Sequence, residues 1–164
     1  MIEFEDPINL KGQVKEILDK MNIHYSEDNP DPENIHFYFR QLVEEVGPTI
    51  GVHIFLTKES NYRLDIVSSV SFSPIHVEAL KKARPQEIQN MIHEIKLFYL
   101  PREGELDLDL AEDDNYEGAM FAVNNPVYVN EVTIGNLDRA MLKSEKMAQL
   151  IRMLIQKHLN KLIT

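Results

Sequence analysis

The spacing of hydrophobic positions changes period several times along the chain, and the order of those changes predicts a fold. Asp6-Pro7 has the form of a helix N-cap followed by proline at the first helical position. Leu10, Val14, Ile17, Leu18 and Met21 then recur at the spacing of one apolar helix face, with Lys11, Lys15, Glu16, Asp19 and Lys20 on the other side. Ser26–Pro32 reads as a loop, because Pro30 and Pro32 interrupt regular pairing. From Ile35 the period becomes two. Ile35, Phe37 and Phe39 point to a core, and His36, Tyr38 and Arg40 to the opposite side. Gly47-Pro48 marks a turn into a second strand over 51–57, with Val52, Ile54 and Leu56 inward. The polar residues Glu59-Ser60-Asn61 lead into a third strand over 62–70, with Leu64 and Ile66 inward and Arg63 and Asp65 outward. The short connections predict an antiparallel meander.

The helical period then returns. Ser73-Pro74 repeats the cap-plus-proline signal, Arg84-Pro85 restarts or kinks the helical block, and Ile88, Met91, Ile92, Ile95 and Phe98 form a stripe that Pro101 ends. Residues 105–110 alternate leucine with acids, the pattern of an edge strand whose charges discourage unwanted pairing. After an acidic loop over 112–118 comes a strand at 119–123, broken by Asn125-Pro126 and extended briefly by 127–129. A final helix starts near Thr133 or Asn136 and runs to about Leu162. At ~1.5 Å per residue it is roughly 39 Å long, against about 26 Å for an eight-residue strand, so it should overhang the sheet. Its wide apolar face is either a second stripe packed within the chain or a dimer seam. The overhang favours the seam, through Ile151, Leu154, Ile155, Leu159 and Leu162. The expected class is α+β: one domain over 1–164, a single twisted antiparallel sheet of about five strands, and helices packed on one face.

Composition narrows the setting. The 164 residues hold 17 basic and 27 acidic side chains, for a net charge of −10. A chain this acidic repels phosphate backbones, which disfavours nucleic acid. The basic residues Lys81, Lys82, Arg84, Arg152, Lys157 and Lys161 read as solvated faces or as helix-end charges that complement the macrodipole. No apolar run approaches the ~20 residues that cross a bilayer, so no membrane partner is expected. The acidic start of the chain lacks the basic region of a secretory signal, and cysteine is absent. A cytoplasmic location is the simplest expectation.

No familiar catalytic constellation emerges, and neither a catalytic residue nor a cofactor or metal is expected. The segment 103–117 carries eight carboxylates in fifteen residues. Counting an EF-hand from Asp107, however, puts Ala111 at position 5 and Glu112 where glycine is needed. A solvated edge strand, or a docking surface for a basic partner, fits better. The six histidines include no His-x-x-x-His pair. His36 and His53 fall on one outward face with Asp65, a weak metal set. Ser68, Ser69, Ser71 and Ser73 lack a nucleophile elbow, and no Gly-rich phosphate loop occurs. The best candidate for recognition is the outward patch of His36, Tyr38, Arg40, His53, Phe55 and Arg63, since tyrosine and arginine commonly anchor interfaces. The alternative is that this patch is simply covered as core.

The order helix, three strands, helices, two strands, helix resembles the fold of type III secretion chaperones and of small uncharacterised archaeal families that share it. The resemblance rests on element order over nearly the whole chain. It implies a twisted antiparallel sheet, a homodimer, and binding of protein segments rather than catalysis. The functional expectation is therefore a non-enzymatic, chaperone- or adaptor-like protein-binding module. The competing expectation is a small-ligand-binding protein or enzyme that uses the outward face of the first three strands.

Overall fold

The computed structural model describes residues 6–43 and 50–163. The Gly47-Pro48 turn lies outside them. Helix α1 (Pro7–Lys20) begins as its sequence predicts, with the Ile8 amide donating to Asp6 Oδ1 at 3.0 Å. There follow β1 (Tyr25–Ser26), β2 (Ile35–Gln41), β3 (His53–Thr57) and β4 (Arg63–Ser71). Helices α2 (Pro74–Lys82) and α3 (Pro85–Tyr99) come next, each with proline in its first turn. The chain continues through β5 (Glu105–Asp109), β6 (Met120–Asn124) and β7 (Val127–Tyr128) into α4 (Ile134–Asn160), where Thr133 Oγ1 accepts the Asn136 amide.

Among the described residues the strands form one antiparallel sheet of seven, in the order β1-β2-β3-β4-β6-β5, with β7 also paired to β4. The class is as expected and the sheet is larger. One addition is β1, a two-residue strand opposite Arg40 and Gln41, too short to show a period. The other is β7. Strand β6 faces Val67–Ser71 and β7 faces Arg63–Leu64 of the same β4, so they are one strand broken at Asn125-Pro126. At the break the Asn124 side chain accepts the Ile66 amide at 2.9 Å, in place of the lost ladder bond.

Phe37, Phe39, Ile54, Leu56, Leu64 and Ile66 face α1 and the first half of α4. Phe121 and Val123 share a second cluster with α2, α3 and the last half of α4. The long helix therefore does not overhang freely. The block at 73–100 folds into two helices that take up the length beyond the sheet. Ile151, Ile155 and Leu159 are buried against them, Leu154 and Leu162 are half-buried there, and the expected dimer seam is occupied within the chain. Glu94 of α3 fastens α4 by pairing with Lys157 Nζ at 3.1 Å and with His158 Nε2.

Two buried serines at the centre have opposite environments. The Ser144 hydroxyl of α4 donates to the Ile66 carbonyl at 2.7 Å and accepts from Asn125 Nδ2 at 2.9 Å. Ser68, equally buried on β4, has an Oγ without a partner. Removing a satisfied hydroxyl strands its partners, whereas removing an unsatisfied one does not. Ser144→Ala is therefore expected to cost about 2 kcal/mol in urea unfolding. Ser68→Ala should unfold at or above the wild-type midpoint. Equal losses for both would overturn this account.

Candidate functional site on the open sheet face

The helices cover one side of the sheet. The other side is built by the alternate residues of each strand, and register places them. Arg40 sits opposite His53, and Tyr38 opposite Phe55, on β2 and β3. His53 and Phe55 in turn sit opposite Val67 and Asp65 on β4. Tyr38, His53, Phe55 and Val67 are half-buried and Arg40 is exposed.

The centre of this patch is a tight aromatic group. The Tyr38 and Phe55 rings stack with centroids 5.7 Å apart, and the Tyr38 ring lies 5.6 Å from that of His53. Burial pushes the His53 pKa below its ordinary value, with the Arg40 charge adding to the effect. Burial also raises the Tyr38 hydroxyl, against the pull of Arg40. The two shifts agree with one proton arrangement, in which the Tyr38 hydroxyl donates to Nδ1 of a neutral His53. The unfolded chain then binds more protons than the native one below the unperturbed histidine pKa of about 6.5. Stability should fall as pH drops from there through the lowered His53 value. Phe in place of His53 should flatten that limb of a melting-temperature profile. An unchanged slope would show that His53 does not set it.

A second group binds β4 to β5 and β6. Arg63 Nη1 and Nη2 grip the Glu105 carboxylate at 2.6 and 3.2 Å, and Arg63 Nε lies 3.3 Å from Asp65 Oδ1. Asn124 Nδ2 donates to Asp65 Oδ1 at 2.7 Å and to Glu105 Oε2 at 3.1 Å. Asp65 is only 7% exposed. Burial raises its pKa, while Asn124 and Arg63 act in the opposite direction. The hydrogen bonds from Arg63 hold Glu105 below the usual carboxylate range. Asn124 joins Asp65 from 59 residues away and Glu105 from 19, and no local pattern marks it.

The six residues of the expected patch do not all meet. A bulge shifts the register between Ile35 and Phe37, pairs Ile35 with the outward residue Thr57, and leaves His36 exposed. Ile35 is half-buried rather than a core residue. His36 lies four residues along β2 from Arg40, the neighbour of His53, or about 13 Å. The two histidines are therefore too far apart to share a metal. Among the described residues no three of His, Asp and Glu gather as a metal-binding group. Arg63 faces Glu105 and Asp65 rather than the aromatic group. The larger cavities open beside β5 and around Pro126, and of the six patch residues only Arg63 lines one of them, the cavity around Pro126. Of the basic residues read as solvated faces or helix-end charges, three pair with acids: Lys81 with Glu78 and Glu117, Arg84 with Glu87, and Lys157 with Glu94. No helix of the described residues is long and apolar enough to cross a membrane.

A family model described as "Uncharacterized conserved protein (DUF2299)" matches residues 10–155. The chain belongs to this family. The DUF2299 match takes in the open face, the first core cluster, most of the second and most of α4. Among solved structures, the DUF2299 chain is similar to an uncharacterised protein from Methanothermobacter thermautotrophicus. The identity is 16% and the TM-score 0.74, over 92% of this chain and 99% of that one. At that identity the likeness establishes the shared fold. No curated protein matches.

Proposed function

We propose that this chain is a non-catalytic protein-binding module that assembles as a homodimer through the open face of its sheet. One register row carries the reading. Arg40, His53, Val67, Asn124 and Glu105 lie side by side across β2, β3, β4, β6 and β5. The row has Arg40 at one end, Val67 between His53 and Asn124 in the middle, and at the other end Glu105, which Arg63 also grips, and β4 is the central strand of the five. A two-fold axis parallel to the strands and passing over Val67 lays each Arg40 on the other copy's Glu105. It also places each Tyr38–Phe55 group over the β6–β5 side of the other copy, in a layer between two sheets ~10 Å apart.

The face measures roughly 29 by 20 Å from strand spacing and rise, or about 600 Å² per copy. That is near the lower end of stable interfaces and fits a dimer of micromolar strength. Arg40 has no ion-pair partner among the described residues, which leaves it available to another subunit. The chaperone- or adaptor-like reading further rests on the order of elements. Sedimentation equilibrium over micromolar concentrations tests the dimer. The wild type should move from monomer to dimer mass, and Arg40→Glu should shift that transition about tenfold upward. A monomer mass at every concentration overturns the reading.

A further inference from the structure

We infer that the free edge of β5, with the groove beside α3, binds an extended peptide segment of alternating apolar and basic residues by adding it to the sheet as a further strand. This goes beyond the dimer reading and does not depend on it, because an added strand would pair with the β5 edge rather than with the open face.

Among the described residues strand β5 is the last strand of the sheet, and its only strand neighbour is β6. The backbone groups along its other edge have no strand partner among the described residues. Each needs a hydrogen bond from water or from an added chain. A groove of about 790 Å³ runs along this edge. Residues from both faces of β5 line it, which places it along the edge rather than over one face. Leu106, Leu108 and Leu110 provide an apolar floor, and Ile92, Tyr99 and Leu100 of the α3 end form the opposite wall. Leu100 is 80% exposed at its rim. Side chains of an added strand alternate between two sides, one toward this floor and one toward the open face.

Charge decides what the second side carries. Asp107 and Asp109 project outward from β5, with Glu112 and Asp113 at the end of the groove, against the single lining cation Lys96. Glu105 is already held by Arg63, but Asp107 and Asp109 have no cationic partner among the described residues. Like charges opposite one another across a ladder repel, so the edge disfavours a second β5. Lysine or arginine at the outward positions of an added strand would instead complement both aspartates.

The test uses a fluorescent peptide of about seven residues alternating lysine and valine, its length set by the ~17 Å of β5 with a residue of overlap at each end. Fluorescence polarisation should show saturable binding, with slower amide exchange at Leu106–Asp109. A glutamate–valine peptide should bind at least tenfold more weakly. The charge-reversed Asp107→Lys/Asp109→Lys protein should reverse that preference. Both aspartates are exposed, so this variant should fold, as circular dichroism would verify. Methylating alternate backbone nitrogens of the lysine peptide keeps every side chain but blocks strand addition, and should weaken binding at least tenfold. No saturable binding, equal binding of the two charge types, or indifference to N-methylation would each overturn the inference. Sedimentation in parallel separates this outcome from failure of the dimer.

Discussion

Replacing Val67 by arginine is expected to leave the protein folded and monomeric, and replacing it by glutamate to do the same. An equimolar mixture of the two variants should associate again. The argument follows from symmetry. A two-fold axis over β4 makes Val67 face its own copy, so any charge placed there meets an identical charge. Like-charge juxtaposition in an interface costs several kcal/mol, which weakens association more than a hundredfold. In the mixture, arginine faces glutamate and the penalty becomes an attraction. Within one chain Val67 is half-buried on the helix-free side, between His53 and Asn124, so either substitution leaves the helix-covered core untouched. Sedimentation velocity on the two variants and their mixture reads the result. Single variants that dimerise like the wild type would remove the open face from the interface. Monomeric singles with no heterodimer would move the axis away from β4.

Much of this arrangement is legible in the sequence, because period-two and period-3.6 patterns report which face of each element meets the core. The inward sets Phe37 with Phe39, Val52 with Ile54 and Leu56, and Leu64 with Ile66 are buried as their alternation predicts. The split at Asn125-Pro126 and the edge position of the acidic strand are also legible, since proline and alternating charge have local consequences. What local pattern does not carry is pairing between distant segments. The Ile35 bulge is a mismatch of two strands, and neither strand alone displays it. The burial of Asp65 needs Arg63, Glu105 and Asn124 brought together from three strands. The wide apolar face of α4 is visible in the sequence, but what fills it is not. Alanine and leucine of α2, and Ile88, Met91 and Ile95 of α3, occupy the place that a second subunit was expected to take. The aromatic and cationic residues of the outward patch are recognisable by type. The antisymmetric charge row appears only once register aligns Arg40 with Glu105 across the three strands between them.

Gly104→Ala should be among the most damaging single substitutions in the chain. Gly104 joins the end of α3 to β5 at a φ of +103°, which L-residues rarely adopt, and forcing one there costs on the order of 1–3 kcal/mol. Space makes the cost larger. A Cβ at this position would lie 2.7 Å from Asn125 Oδ1, 2.8 Å from the Asn124 carbonyl oxygen and 2.8 Å from the Tyr99 hydroxyl. One of those is backbone, and the other two belong to anchored side chains. Asn125 donates to Ser144 in the buried centre, and Tyr99 donates to the Glu103 carbonyl at 3.3 Å. Relief at Gly104 must therefore disturb the α4 contact, the α3 terminus or the β5–β6 pairing at Glu105 and Asn124. The combined loss should be about 4 kcal/mol, in the range reserved for strain and overpacking together. For a chain of this size that lowers the melting temperature by roughly 10 °C. The same displacement would move Glu105 from the grip of Arg63, so amide exchange should quicken first along β5 and only later in β2 and β3. A variant within about 0.5 kcal/mol of wild type in urea would show that this junction relaxes without cost.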